Sequence, residues 1–479
     1  MIVMKFGGSS VESAQAIQRV ASIVRDHSER RPAVVVSAMG KTTDRLLTIA
    51  RLSAAGNRQG AERELAKLRQ FHLTEAAYLA RAAQAVWLDN QICGLFDELE
   101  QVLREVAESR SLTPRLSDAV LSFGERLSSV IVAAALRQAG VDAVHLDARA
   151  AIVTDSRHMQ AAPLLIETNA LLRRKVSKEK VTVMGGFVGA TEDGVTTTLG
   201  RGGSDYTAAI VGAALAVEEI QIWTDVDGML TCDPRVVSSA HCLRSVSYAE
   251  AEQMAKAGAK VLHPATVIPA VRQGIPIVIR NSRNPGAAGT RIVREGPCDG
   301  VVMSIACRTG VALVQLVPRN TPVTADFGSE IWDAFQKAGV QFELIATSRK
   351  ELSVVVDEAS LTREFLNRLR FLAEVDVQEK RALVTLVGQN VSMNPSNLSR
   401  ASQQLRKTPG GPILGWCSDS RFAFVLAAEE LNTAAEALHN EFFGEPDPAY
   451  LVPNRASVMV ALPALSARRP LEVWRPSKN

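Results

Sequence analysis

Residues 1–10 read MIVMKFGGSS, and the way this stretch ends decides the class of fold. Residues 1–6 are apolar apart from Lys5 and read as a buried strand, which runs straight into Gly7-Gly8-Ser9-Ser10. A helical pattern follows, with Ile17, Val20, Ala21 and Val24 on one face. The same order of strand, glycine turn and helix recurs further on. Ala33–Ala38 (AVVVSA) is a second buried strand that ends at Met39-Gly40-Lys41-Thr42-Thr43. VTVMGGFVG, from Val181, is another strand and glycine turn, and Glu219–Thr224 (EIQIWT) is a strand that ends at Asp225. Between them, residues 44–112 carry Leu, Ala, Arg and Glu at helical spacing, enough for two or three helices, and Ser117–Gln138 is a further helix. Thr196–Ser204 (TTTLGRGGS) is a polar loop that opens a helix from Asp205. Such alternation predicts an α/β fold, a mostly parallel sheet sandwiched by helices. Ligands of these sheets sit at the carboxyl ends of the strands, where the glycine turns fall.

Composition shifts at Asn284-Pro285-Gly286 and again at Gly296-Pro297, which places a boundary near residue 297. The first domain is then 1–297, with a helical insertion at about 50–116. Beyond it a βαββα rhythm occurs twice, as in small ligand-binding α+β modules. The first round is Val311–Val317, Ser329–Ala338, Gln341–Ala346, Leu352–Asp357 and Leu361–Leu369, within 298–380. The second is Leu383–Val387, Pro395–Leu405, Ile413–Cys417, Phe422–Leu426 and Glu430–Phe442, within 381–444. Residues 445–479 form a weakly patterned tail.

The whole sequence has 479 residues, long enough for two or three domains. It is 47% hydrophobic and 22% charged, the balance of a globular chain. Its net charge is +3, from 54 basic and 51 acidic residues, which argues against nucleic acid as a partner. No stretch reaches the roughly 18 apolar residues of a membrane span, and no basic segment with an apolar run opens the chain, so a cytoplasmic location is expected. The six cysteines form no CxxC pair, which speaks against zinc and against a disulfide scaffold.

Lys5 stands at a strand end, near solvent, with glycines at the exit. Glycines let backbone N–H groups approach phosphate oxygens, and a lysine can meet the charge that spreads over a transferring phosphoryl group. The lysine precedes the glycines, so this is not the GxxxxGK[ST] loop, and KxGG alone suits a plain tight turn as well. Gly200-Arg201-Gly202-Gly203-Ser204-Asp205 is more specific: a guanidinium and a hydroxyl precede a helix start, a good place for an anion, although Asp205 could be a plain N-cap. Asp225-Val226-Asp227-Gly228 and Asp233-Pro234-Arg235 taken alone read as surface turns, and His263 reads as a buried, satisfied histidine.

Taken together, KFGGSSV (5–11), VVVSAMGKTTD (34–44), FGERLSS (123–129), TTLGRGGSDYTA (197–208), WTDVDGM (223–229), TCDPRVV (231–237) and GAKVLHPAT (258–266) resemble the aspartate kinases of the amino-acid kinase superfamily. The resemblance covers residues 1–295, and the two βαββα rounds are similar to the paired ACT domains that follow in that family. It implies transfer of a phosphoryl group from ATP, with Mg2+, to the side-chain carboxylate of L-aspartate. By the same resemblance Lys5, Gly7, Gly8 and Ser9 meet the phosphates, and Asp205 orients Lys5. Thr43, Glu125, Arg201 and Ser204 hold aspartate, with Arg201 gripping a carboxylate. Thr224, Asp225, Leu230, Arg235 and Lys260 contact the nucleotide. Leu230 stands where many members carry a tyrosine beside the adenine. The ACT pair implies a homodimer or higher homo-oligomer and an end-product effector, lysine or threonine, met by Phe327, Glu343, Thr347 and Ser348. Arg349 stands where some lysine-inhibited relatives have an acidic residue. The competing readings are a kinase for another amino-acid carboxylate and a catalytically silent amino-acid sensor. ADP release with a panel of amino acids separates the three.

Overall fold

The computed structural model describes residues 1–81, 83–258, 264–296, 299–319, 322–409, 411–445 and 447–452. In chain order the first part contains β1 (Val3–Phe6), α1 (Ala14–Asp26), β2 (Ala33–Val36), α2 (Thr42–Ala54), α3 (Arg58–Ala77), α4 (Ala83–Ser109), α5 (Pro114–Gln138), β3 (Ala143–Leu146) and α6 (Leu165–Lys175). It continues with β4 (Val181–Gly185), β5 (Val188–Ala190), β6 (Thr196–Thr198), α7 (Gly203–Leu215), β7 (Ile220–Thr224), β8 (Cys242–Leu243), β9 (Ser245–Ser247), α8 (Tyr248–Lys256), α9 (Ile268–Arg272), β10 (Ile277–Asn281) and β11 (Thr290–Val293). Eight of these strands form one sheet in the order β3-β4-β2-β1-β7-β10-β11-β9. All its neighbours pair in parallel except β10 and β11. β1 and β7 are thus central strands, which explains why nearly every residue of both is buried.

Of the three helices α2 to α4, α2 and α4 pack against α5, and α3 packs on α2 and α4. Thr113 caps α5 by accepting a hydrogen bond from the Leu116 N–H, and Pro114 occupies the first turn, where no donor is needed. From Ser117 to Leu136 nearly every residue of α5 is buried. Contrary to the sequence expectation, this helix is long and apolar enough to cross a membrane, but 94% of its most apolar stretch is covered by the protein itself.

The second part contains β12 (Ser304–Pro318), α10 (Ala325–Ala338), β13 (Phe342–Thr347), β14 (Leu352–Asp357), α11 (Arg363–Leu372), β15 (Ala373–Val387), α12 (Pro395–Leu405), β16 (Leu414–Ser418), β17 (Arg421–Ala427) and α13 (Leu431–Phe443), followed by β18 (Leu451–Val452). Both βαββα rounds are present, but they share one antiparallel sheet of order β13-β14-β12-β15-β17-β16. β12 and β15 are each 15 residues long, far longer than the sequence pattern suggests. They pair along their whole length, from Ser304 opposite Val387 to Pro318 opposite Ala373, with register shifts between Thr309 and Leu313. The end of β12 therefore belongs to the first round and its start to the second, and residue 380 falls inside β15. A continuous apolar core joins this second round to the first part of the chain: Val302, Leu386, Phe422 and Leu438 pack in one cluster with Met229, Val246 and Met254.

Candidate active site

The turns after three adjacent strands meet at one point. Lys5 lies between Val35 of β2 and Ile222 of β7. The Gly7 N–H donates to the Trp223 carbonyl at 3.0 Å, and the Gly40 N–H donates to the Gly8 carbonyl at 3.1 Å. Lys5 is not near solvent as expected from its place at a strand end. It is 9% exposed, and its Nζ lies 2.7 Å from Asp205 Oδ1 in the first turn of α7. Helix α7 starts at Gly203, two residues earlier than its sequence suggests. Gly200 and Gly202, at φ 77° and 73°, flank Arg201 in the left-handed region, which only glycine enters without strain. Gly186, after β4, is needed for close approach: a Cβ there would lie 2.7 Å from Cα and Cβ of Ser204.

These elements enclose a cavity of about 300 Å³ lined by Lys5, Ser37, Thr43, Glu125, Phe187 and residues 200–205. Every residue expected to hold aspartate (Thr43, Glu125, Arg201 and Ser204) is on that wall, together with Lys5 and Asp205. Glu125, from α5, is 5% exposed, and its Oε2 is buried without a hydrogen-bond partner. Burial pushes its carboxyl up to about 8, against the opposing pull of the backbone at Ala38 and the charge of Lys5. Arg201 is exposed at the cavity mouth. The arrangement offers a buried acid that gains by meeting a cation, a guanidinium for a carboxylate, and an oriented lysine for transferring charge.

The residues expected to meet the nucleotide lie outside this cavity, along the segment after β7. Thr224 ends that strand and donates from its hydroxyl to the exposed Asp225 at 3.2 Å. Leu230 is partly buried and bridged to Cys242. Arg235 is exposed and held by both oxygens of Asp233, its Nη2 at 2.6 Å and its Nε at 3.0 Å. Ser9 lies in the helical turn Gly8–Ser10, whose Ser10 hydroxyl is 2.8 Å from that of Ser282. Lys260 and His263 lie outside the described residues.

Of the residues expected to meet an effector, Phe327 is 7% exposed and belongs to the core of the first βαββα round. Its ring therefore packs inside rather than facing a ligand. Glu343 is ion-paired with Arg308, whose Nη2 also reaches Asp357 at 3.2 Å, and Glu343 Oε2 is buried without a partner. Thr347 and Ser348 are exposed, and the Ser348 hydroxyl accepts from the N–H groups of Lys350 and Glu351.

Asp118 was not foreseen. It is fully buried in α5 and accepts hydrogen bonds from the Thr198 hydroxyl (2.5 Å) and the Met159 N–H (3.0 Å), with His158 Nδ1 at 2.7 Å. Thr198 ends the strand that leads into Gly200-Arg201-Gly202, so Asp118 anchors the Arg201 loop. Its position one heptad before Glu125, on the same helix face, was the available signal.

The model of the amino acid kinase family matches residues 1–281. Lysine-sensitive aspartokinase 3 of Escherichia coli is 33% identical over 92% of this chain and 99% of its own. The chain belongs to the amino acid kinase family, among its aspartokinases. Aspartokinase 1, chloroplastic, of Arabidopsis thaliana is 32% identical over 94% of this chain and 81% of its own. Two structures of E. coli aspartokinase III match over 92% of the chain. The complex with lysine and aspartate (T-state) has a TM-score of 0.80 at 30% identity, and the complex with aspartate and ADP (R-state) has 0.77 at 31%. The activity of the chain is that of an aspartate kinase.

Proposed function

We propose that this aspartate kinase uses the Lys5–Asp205 cavity to bring the side-chain carboxylate of L-aspartate in line with the terminal phosphate of ATP. The observation that carries the reading is the wall shared by Lys5, Glu125 and Arg201. The α-ammonium of aspartate pairs with Glu125, whose Oε2 has no partner in the protein. Arg201 takes the α-carboxylate in a two-point grip, supported by Thr43 and Ser204. The reacting carboxylate is already an anion at pH 7, with a reference pKa near 3.9, so no general base is required. The difficulty is repulsion between two anions, and Lys5, oriented by Asp205, meets it by matching charge that grows on the phosphoryl oxygens. Gly7, Gly8 and Ser9 present backbone to the phosphates. Thr224, Asp225, Leu230 and Arg235, with Lys260, hold the nucleoside end.

Mg2+ fits this donor set as an ion carried on the phosphates. The lining carboxylates are Glu125, buried with a raised pKa, and Asp205, paired to Lys5, and among the described residues no group of three His, Cys, Asp or Glu side chains is placed to hold an ion. When bound, it neutralises phosphate charge. The further reading is a cytoplasmic enzyme opening the route to lysine, threonine and methionine. It assembles as a homodimer or larger oligomer through its ACT pair and is inhibited there by lysine, the ligand of the similar E. coli enzyme. Arg201→Lys tests the substrate half. Lysine keeps the charge but loses the planar fork, so KM for aspartate should rise about 10-fold or more, on the order of a charged hydrogen bond. KM for ATP should stay within about twofold. Equal rises would reassign Arg201 to the phosphates.

A further inference from the structure

The segment after α13 returns to the catalytic part of the chain and joins the loop that follows β7. β18 pairs antiparallel with β8, Leu451 opposite Leu243 and Val452 opposite Cys242. On its other side Cys242 is bridged to Leu230. The Leu243 N–H donates to the Met229 carbonyl at 2.8 Å, and the Thr231 N–H donates to the His241 carbonyl at 2.9 Å. Leu230, Cys242 and Val452 thus lie side by side in a three-stranded ribbon. Arg244 fastens its outer strand: its N–H donates to the Tyr450 carbonyl at 2.9 Å, and its Nε donates to the carbonyls of Pro448 (2.9 Å) and Leu451 (3.0 Å). Leu451 is 1% exposed and packs in the same core as Met229, Cys232 and Leu243. Without this segment, β8 would present an unpaired edge and the core would lose a leucine beside the loop that carries Leu230 and Arg235.

We infer that Asp447–Val452 is a positioning brace for nucleotide binding, holding Leu230 and the following Asp233–Arg235 turn in the geometry that receives the nucleoside. This rests on the placement of the nucleotide along residues 224–235 given above. Among the described residues, the strand pairing and the Arg244 hydrogen bonds of the brace lie away from the residues that line the aspartate cavity, so its loss should separate the two substrates.

The test compares the full chain with chains ending at Val452 and at Glu445. The chain ending at Val452 keeps the brace and should match the full chain in every kinetic constant within about twofold. The chain ending at Glu445 should show KM for ATP and the dissociation constant for ADP raised about 5- to 10-fold, with KM for aspartate and the saturated kcat within twofold. If it fails to fold, Arg244→Ala in the full chain takes its place, with a rise of about threefold in KM for ATP that Arg244→Lys largely restores. The inference is overturned if loss of the brace leaves KM for ATP unchanged, if both KM values rise together, or if the chain ending at Val452 is equally impaired. Arg235→Ala in the full chain tells this failure from failure of the underlying placement. If Arg235→Ala raises KM for ATP while removal of the brace does not, the nucleotide is placed correctly and the brace is wrong. If neither does, the placement itself falls.

Discussion

Glu125 is a buried carboxyl that the protein alone does not ionise at neutral pH. With burial holding its pKa near 8, the empty site is mostly protonated at pH 7. A docked ammonium favours the charged form, so binding of aspartate should expel that proton. The sign follows: affinity for aspartate rises with pH, by up to about tenfold per unit, until the pH passes the free-site value, and then levels. Titration calorimetry at pH 7 in two buffers of different ionisation enthalpy should report close to one proton released per aspartate, and heats that do not depend on the buffer would refute it. Lys5 makes the complementary case. Lys5→Met should lower kcat by about 10²- to 10³-fold, the cost of losing one preorganised charge at the transition state. Because Lys5 is buried against Asp205, the same change should also cost about 1–3 kcal/mol of stability by leaving that carboxylate unpaired. Kinetics and thermal melting on one sample check both, and a near-normal kcat in folded protein would remove Lys5 from the mechanism.

Among the elements, α5 shows what a sequence reveals and what it hides. Its existence and its end at Gln138 were legible, because a long run of apolar residues at helical spacing is conspicuous, whereas Glu125 was singled out by family resemblance. Asp118 was not legible, because the sequence pattern starts the helix at Ser117, and an acid beside a helix start usually faces water and favours the dipole. Only the fold brings Thr198 and Met159 to it. α12 was predicted at both ends, since Asn394 caps it and Pro395 opens it. β12 and β15 were predicted at a fraction of their length, because the register shift around Gly310 breaks the period of two that marks a strand. The Arg201 loop depends on Asp118 by this geometry. Asp118→Asn keeps one oxygen for the Thr198 hydroxyl and the Met159 N–H but removes the second acceptor, which lies 2.7 Å from His158 Nδ1 and shares the Met159 N–H at 3.1 Å. It should cost about 1–3 kcal/mol of stability, seen as a lower melting temperature, and raise KM for aspartate several-fold while sparing KM for ATP. A change in melting temperature alone would leave Asp118 a core residue with no part in placing Arg201.

At the scale of the whole molecule, one strand connects the two sheets. Ser304 and Ile305, at the start of β12, grip the loop after β7: the Ile305 N–H donates to the Thr231 carbonyl at 2.7 Å, and the Ser304 hydroxyl donates to the Leu230 carbonyl at 3.1 Å. Three residues along the same strand, Arg308 is ion-paired with Glu343. An effector ammonium that binds Glu343 must therefore compete with Arg308, and the release of Arg308 bears on the strand that holds the loop after β7. An effector acts only through a difference in affinity between two conformations, and tenfold inhibition needs about 1.4 kcal/mol. One exchanged ion pair of this kind can supply that. Lysine, then threonine, then both together should be tested at millimolar concentration, with lysine expected to inhibit. Glu343→Gln keeps the shape and removes the charge, so it should leave basal kcat within about twofold and raise the lysine concentration for half inhibition about 10-fold or more, by the cost of a lost charged contact. Arg308→Met, which frees Glu343 from its internal partner, should shift that concentration the opposite way, because the effector no longer has a competitor. Normal inhibition of the Glu343 variant would place the ammonium elsewhere. Parallel shifts in the two variants would mean that the ion pair itself, rather than its exchange, transmits the signal.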